Sequence, residues 1–184
     1  MNIKGSCVKS VVDYIKEAYK DEGFEKFLTV LSGEDRKVVE MKILPSSWYD
    51  MEFYERILTG INICFIGVDP NLGEKIGKKI ITDGLKGIYR VFLGALSQNY
   101  ILTQSPRLWS RYFDGEKLEI LEASDFSLKM GVVGDHKPSQ LYCDIMVGAI
   151  IGFIEITGGN NVKAEEVACR ADGNSRCEFS YTWD

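Results

Sequence analysis

From Ser6 to Tyr19 the apolar residues Val8, Val11, Val12, Tyr14, Ile15 and Tyr19 recur at steps of three and four, with Lys and Asp between them. That spacing predicts an amphipathic helix, which Gly23 ends. Phe24, Phe27, Leu28 and Leu31 mark a second short helix closed at Ser32-Gly33, and Glu34 to Met41 adds a third. The run from Pro45 to Asp50 breaks the pattern and supplies N-caps for the next helix. Met51 to Gly67 places Phe53, Tyr54, Ile57, Leu58, Ile61, Cys64 and Phe65 at helical steps and reads as a buried helix, with a strand over Ile61 to Val68 as the alternative by β-propensity. Asp69-Pro70-Asn71 opens another helix whose apolar positions include Leu72, Ile76, Ile80 and Ile81. Gly87 to Leu96 continues this helical half through Tyr89, Val91, Phe92 and Leu96. A short helix around Ser105 to Phe113 carries Trp109, Tyr112 and Phe113, which read as core.

Beyond Asp114-Gly115 the period changes to two. Lys117 to Ala123 and Phe126 to Val133 read as strands separated by Ser124-Asp125. After a loop from Gly134 to Ser139, Gln140 to Ile156 forms a long helix, apolar almost all round from Ile145 and therefore central to the core. Gly148 and Gly152 admit a closely approaching backbone, either within the fold or across a dimer. Gly158 to Asn161 closes this helix, and two terminal strands flank Asp172-Gly173-Asn174, the turn chemistry of a hairpin. The order defines an α+β chain: a helical N-terminal half plus an antiparallel sheet of about four strands with one long buried helix.

A length of 184 residues suits one domain over residues 1–184. The formal charge of -5 argues against a nucleic-acid partner, because phosphate binding needs clustered Lys and Arg. No run reaches the roughly 18 apolar residues of a membrane span. The N-terminus carries no signal-peptide pattern, and five cysteines, an odd count, point to reduced thiols in the cytoplasm.

Candidate chemistry is sparse in the first 140 residues. Gly73 to Lys79 has too few residues between its glycines for a phosphate loop and reads as a solvated basic helix face. His136, the one histidine, reads as a solvated loop residue, and no nucleophile or base partners it, so the chain is expected to be non-enzymatic. Near the C-terminus a three-residue loop at Asp172-Gly173-Asn174 would set Cys169 opposite Cys177, with Cβ atoms about 4.5–5.5 Å apart. Such a pair shares a metal, forms a disulfide, or packs as two small hydrophobes; a reduced compartment favours the metal over the disulfide.

The C-terminal pattern of Glu166, Cys169, Gly173 in the turn, Cys177-Glu178-Phe179 and Trp183 resembles the 4-vinyl-reductase-type ligand-binding domain, the sensor module of aromatic-responsive regulators. The resemblance implies a structural zinc held by three cysteines and a glutamate, the first cysteine on a preceding helix: here Cys143, Glu166, Cys169 and Cys177. Residues three apart on a regular strand face opposite ways, so Glu166 needs a bulge to join Cys169, and Glu165 is the alternative ligand. The N-terminal helices, Ser47-Trp48-Tyr49 and Leu108 to Gly115 also look like the superfamily that joins these domains to haem nitric-oxide-binding domains and transport protein particle small subunits. It implies an internal apolar pocket, a small apolar ligand, and a homodimer or protein partner. The leading expectation is a non-enzymatic cytoplasmic sensor or adaptor. A protein-interaction subunit with an empty pocket comes second, and a haem-based gas sensor using His136 or a tetrapyrrole reductase-like enzyme third.

Overall fold

The computed structural model describes residues 1–85 and 102–184, so the expected helix over Gly87 to Leu96 lies outside the described residues. A short strand β1 (Asn2–Lys4) leads into α1 (Gly5–Thr29), followed by α2 (Gly33–Glu40), β2 (Trp48–Asp50), α3 (Met51–Phe65) and α4 (Leu72–Gly84). After the undescribed residues come α5 (Ser105–Trp109), β3 (Phe113–Asp114), β4 (Glu116–Ala123), β5 (Ser127–Gly134) and α6 (Gln140–Ile156). The chain ends with β6 (Lys163–Ala168), a 3-10 turn (Arg170–Asp172) and β7 (Cys177–Thr182). Six α-helices and two antiparallel sheets among the described residues make this an α+β fold.

Side-chain caps set three helix starts. Ser32 accepts from the Asp35 amide, Asp50 from Glu52 and Ser139 from Tyr142, each satisfying one of the free first-turn donors. The first expected helix boundary moves: α1 is broken at Lys20, whose φ of 56° is left-handed, while Gly23 stays helical. Lys20 lies in a polar stretch, and no hydrophobic step marks it.

The main sheet has the order β4-β5-β7-β6, and a smaller one the order β2-β1-β3. The small sheet leaves no trace in the hydrophobic pattern because its strands are two or three residues long, too short to show a period. α6 follows the predicted bounds and is buried along most of its length, with Ile145, Ile150, Phe153 and Ile154 packed into one continuous core with α1, α3 and the sheet. Fully burying such a side chain contributes about 1.5–3 kcal/mol.

α4 and α6 cross with their backbones in contact. A Cβ on Gly77 would stand 2.1 Å from the Ile145 carbonyl oxygen, and one on Gly148 would stand 2.2 Å from that of Glu74. The glycines of the apparent phosphate loop are therefore a helix-crossing seam, and Gly148 serves the interior of the fold. The lysines between them are ion-paired: Lys75 with Asp69, Lys78 with Glu74 and Glu155, and Lys79 with Glu17 and Asp83.

Candidate functional site

The C-terminal hairpin is wider than the sequence implies. β6 and β7 pair from Lys163↔Thr182 to Ala168↔Glu178, and the chain then enters the 3-10 turn rather than a three-residue loop. Asp172 and Gly173 are stitched into that turn through bonds to Cys169 and Arg170, with Gly173 at φ 90°, a left-handed conformation that glycine adopts without steric penalty. Cys169 thus leaves the ladder before it can face Cys177 in strand register.

A register shift between Glu166 and Ala168 supplies the bulge that the spacing demands. It leaves Val167 on the outside and turns Glu166 inward, while Glu165 is exposed opposite Ser180. α6 brings Cys143 from the other side. The result places one sulfur each of Cys143, Cys169 and Cys177 and a carboxylate oxygen of Glu166 within 4.8 Å of one another.

The three thiols are 0%, 5% and 1% exposed in that order, and the Cys143 and Cys169 sulfurs stand 3.7 Å apart. One Glu166 oxygen accepts from Gln140 at 3.2 Å, whereas Oε1 is buried without a partner among the described residues. An unpaired buried acceptor costs about 1–3 kcal/mol, so this oxygen is poised for a cation or a donor. Contact with Cys143, together with the Arg170 amide and guanidinium, lowers the Cys177 thiol pKa. The same contact with Cys177, then burial, raises that of Cys143. Burial chiefly raises Cys169 as well. Cys177 is thus the thiol that ionises first.

Behind this cluster runs a buried ionic chain that sequence reasoning missed. Arg170 donates to the Gly134 carbonyl and to Glu116, and Glu116 also accepts from the Tyr142 hydroxyl. His136 is not solvated: its side chain is 13% exposed, with Nδ1 3.1 Å from Glu116 and Nε2 3.4 Å from Glu55. Burial disfavours the charged imidazole, but the two carboxylates prevail and raise its pKa above the usual 6.5. Burial also opposes ionisation of Glu116, yet bonds from His136, Tyr142 and Arg170 hold its carboxyl below 4.5. The available signal was parity, since Glu116 is in phase with inward-facing Leu118 on one strand.

On the far face of α6 lies a pocket of about 530 Å³. Tyr142, Ile145, Met146, Ala149 and Phe153 of α6 form one wall; α1, the end of α4, α5 and Leu118 of β4 form the others. The volume falls within the roughly 300–1,000 Å³ typical of small-molecule sites. Neighbouring residues of α6 therefore serve two places: Tyr142 borders the pocket and Cys143 the thiol cluster.

The family model of the 4-vinyl-reductase domain matches residues 136–182, the segment that holds all four clustered residues. Solved structures share the fold over nearly the whole chain. An Fe(II) unliganded H-NOX protein from K. algicida aligns with a TM-score of 0.71 at 13% identity, covering 99% of this chain and 97% of that one. A structure described as probing heme distortion in the H-NOX family aligns at 0.69 with 17% identity, over 99% and 95%. An oxygen-binding H-NOX domain related to soluble guanylate cyclases aligns at 0.66 with 17% identity, over 99% and 95%. The comparison with curated proteins gives no match. The chain thus carries a 4-vinyl-reductase-type C-terminal segment within an H-NOX-like fold.

Proposed function

We propose that this chain is a non-enzymatic sensor domain of the cytoplasm that binds a small apolar molecule and reports it to a protein partner or a second copy of itself. The observation that carries this reading is the apolar pocket walled by α1, α4, α5 and α6. No described helix is long and apolar enough to cross a membrane. A native mass spectrum of freshly purified protein tests the reading. A bound small molecule that leaves under denaturing solvent is the expected result; an empty chain that binds no member of an apolar compound set contradicts it.

Cys143, Glu166, Cys169 and Cys177 would hold a structural zinc. Two thiolates about 2.3 Å from a tetrahedral zinc stand about 3.8 Å apart, and the Cys143–Cys169 separation of 3.7 Å agrees. The orphaned Glu166 Oε1 provides the oxygen ligand. Four protein ligands close the coordination sphere, so the ion would fasten α6 to the hairpin and leave no open position for substrate.

Haem, named in the descriptions of H-NOX structures, fits these residues poorly. An axial ligand has to come from the pocket wall. His136 is not on that wall and is engaged by Glu55 and Glu116. Cys7 is on it, but burial pushes its thiol up to about 12, so no thiolate is available. Tyr54 and Tyr142 are likewise held protonated, chiefly by burial.

A further inference from the structure

Two polar atoms on the pocket wall have no partner among the described residues. Ser105 and Trp109 both border the pocket, both are 7% exposed, and the Ser105 hydroxyl and the Trp109 indole Nε1 are buried without a hydrogen bond. They lie four residues apart on α5, a spacing that puts two side chains on one helix face with Cβ atoms about 5–6 Å apart. Buried donors left unpaired are uncommon because each has given up its water without replacement. The Trp109 ring is fixed by stacking on Phe113 at 4.1 Å between centroids, which holds its N–H edge in place.

The chemistry of the wall narrows the partner. Indole N–H only donates, and a serine hydroxyl can donate as well. A carbonyl oxygen carries two lone pairs and accepts both. Among the described lining residues Lys9 is the only cation, and it is paired with Asp13, while Asp83 is paired with Lys79. These residues offer no free positive charge to a carboxylate, so an anionic ligand would enter the apolar site uncompensated.

We infer that the pocket takes a neutral, largely apolar carbonyl compound, a ketone, quinone or ester, whose oxygen is held by Trp109 Nε1–H and the Ser105 hydroxyl. This rests on the sensor reading above and names the ligand class of that same pocket. The carbonyl oxygen supplies the two missing hydrogen bonds, while the apolar body covers the aliphatic and aromatic wall of α6. Recognition then depends on one oxygen placed against an otherwise nonspecific cavity.

Equilibrium dialysis of the intact protein against two matched probes, benzophenone and diphenylmethane, tests this, since they differ only by the carbonyl oxygen. The expected result is that benzophenone binds about tenfold more tightly, and that Trp109→Phe and Ser105→Ala each reduce this preference while diphenylmethane binding is unchanged. Retained diphenylmethane binding also reports that each variant is folded. Equal binding of both probes overturns the carbonyl assignment and leaves the pocket reading standing; binding of neither overturns both. Tighter binding of 4-benzylphenol than of benzophenone, or a preference unchanged in both variants, also overturns the assignment.

Discussion

Arg170 grips the sulfur of Cys177 twice, donating from its backbone amide at 3.3 Å and from Nε at 3.4 Å. Its other guanidinium nitrogens reach the Gly134 carbonyl and Glu116, so one side chain links the thiol cluster to a carboxylate buried beneath the sheet. An arginine so placed stabilises a thiolate and fixes its direction, the role of an outer partner in a metal site.

Arg170→Met is therefore expected to weaken zinc retention about 10- to 100-fold without abolishing it. Competition with a chromogenic chelator reads the change. Because the substitution also strands Glu116 next to His136 alone, it should destabilise the fold by about 3 kcal/mol, the scale for breaking a buried ion pair. An additional Glu116→Gln substitution should recover part of that stability but none of the zinc affinity.

Zinc binding and folding should be lost together in Cys143→Ser or Cys177→Ser, because a site assembled from α6 and the hairpin exists only in the folded chain. Cys64→Ser, a buried cysteine outside the cluster, serves as the comparison and should keep its metal. Thermal melts run alongside metal analysis separate the cases.

Stability should also depend on pH through His136. Its folded pKa is raised, so its contribution is fully present below about 6.5, the unfolded value, and is lost as pH rises through the higher folded value. Glu116 has a depressed folded pKa, so its contribution is present above 4.5 and fades as pH falls through a still lower value. The charged groups facing the imidazole are Glu55, Glu116 and Arg170. In chemical denaturation, His136→Gln should remove the decline in stability on the alkaline side of 6.5 while leaving the acid limb in place.

The helix seam gives a purely steric test. Gly77→Ala drives a methyl group into the backbone of Ile145 to Ala149 and should destabilise by about 3 kcal/mol. For a chain of this length that corresponds to a fall in Tm of roughly 6–12 °C. Gly33→Ala, at the start of α2 with nothing within 4 Å, should be neutral or slightly stabilising.

How much of the fold is legible in the sequence depends on how local each signal is. α3 and α6 are readable because their apolar residues repeat over four or more turns, and β4 and β5 because they alternate. The small sheet is not, since β1 pairs with residues more than forty positions away through strands of three residues or fewer. The four clustered side chains are visible as residue types at a spacing, and the need for a bulge before Cys169 follows from strand parity alone. The shape of the turn is not, because the 3-10 geometry of Arg170–Asp172 is stabilised by bonds to Cys169 that no residue pattern announces. His136 reads as solvated for a similar reason. Its carboxylate partners come from α3 and β4, 81 and 20 positions earlier, and only the folded chain brings Glu55 and Glu116 to opposite edges of one imidazole.

The most direct test of this account is the zinc content of protein purified without chelator or added metal, measured by plasma mass spectrometry on the native chain and on Cys169→Ser. About one zinc per native chain, absent from the variant, is the expected result. A metal-free native chain whose five cysteines all react with a thiol reagent under native conditions would contradict it, and would leave Cys143, Cys169 and Cys177 as ordinary members of the core.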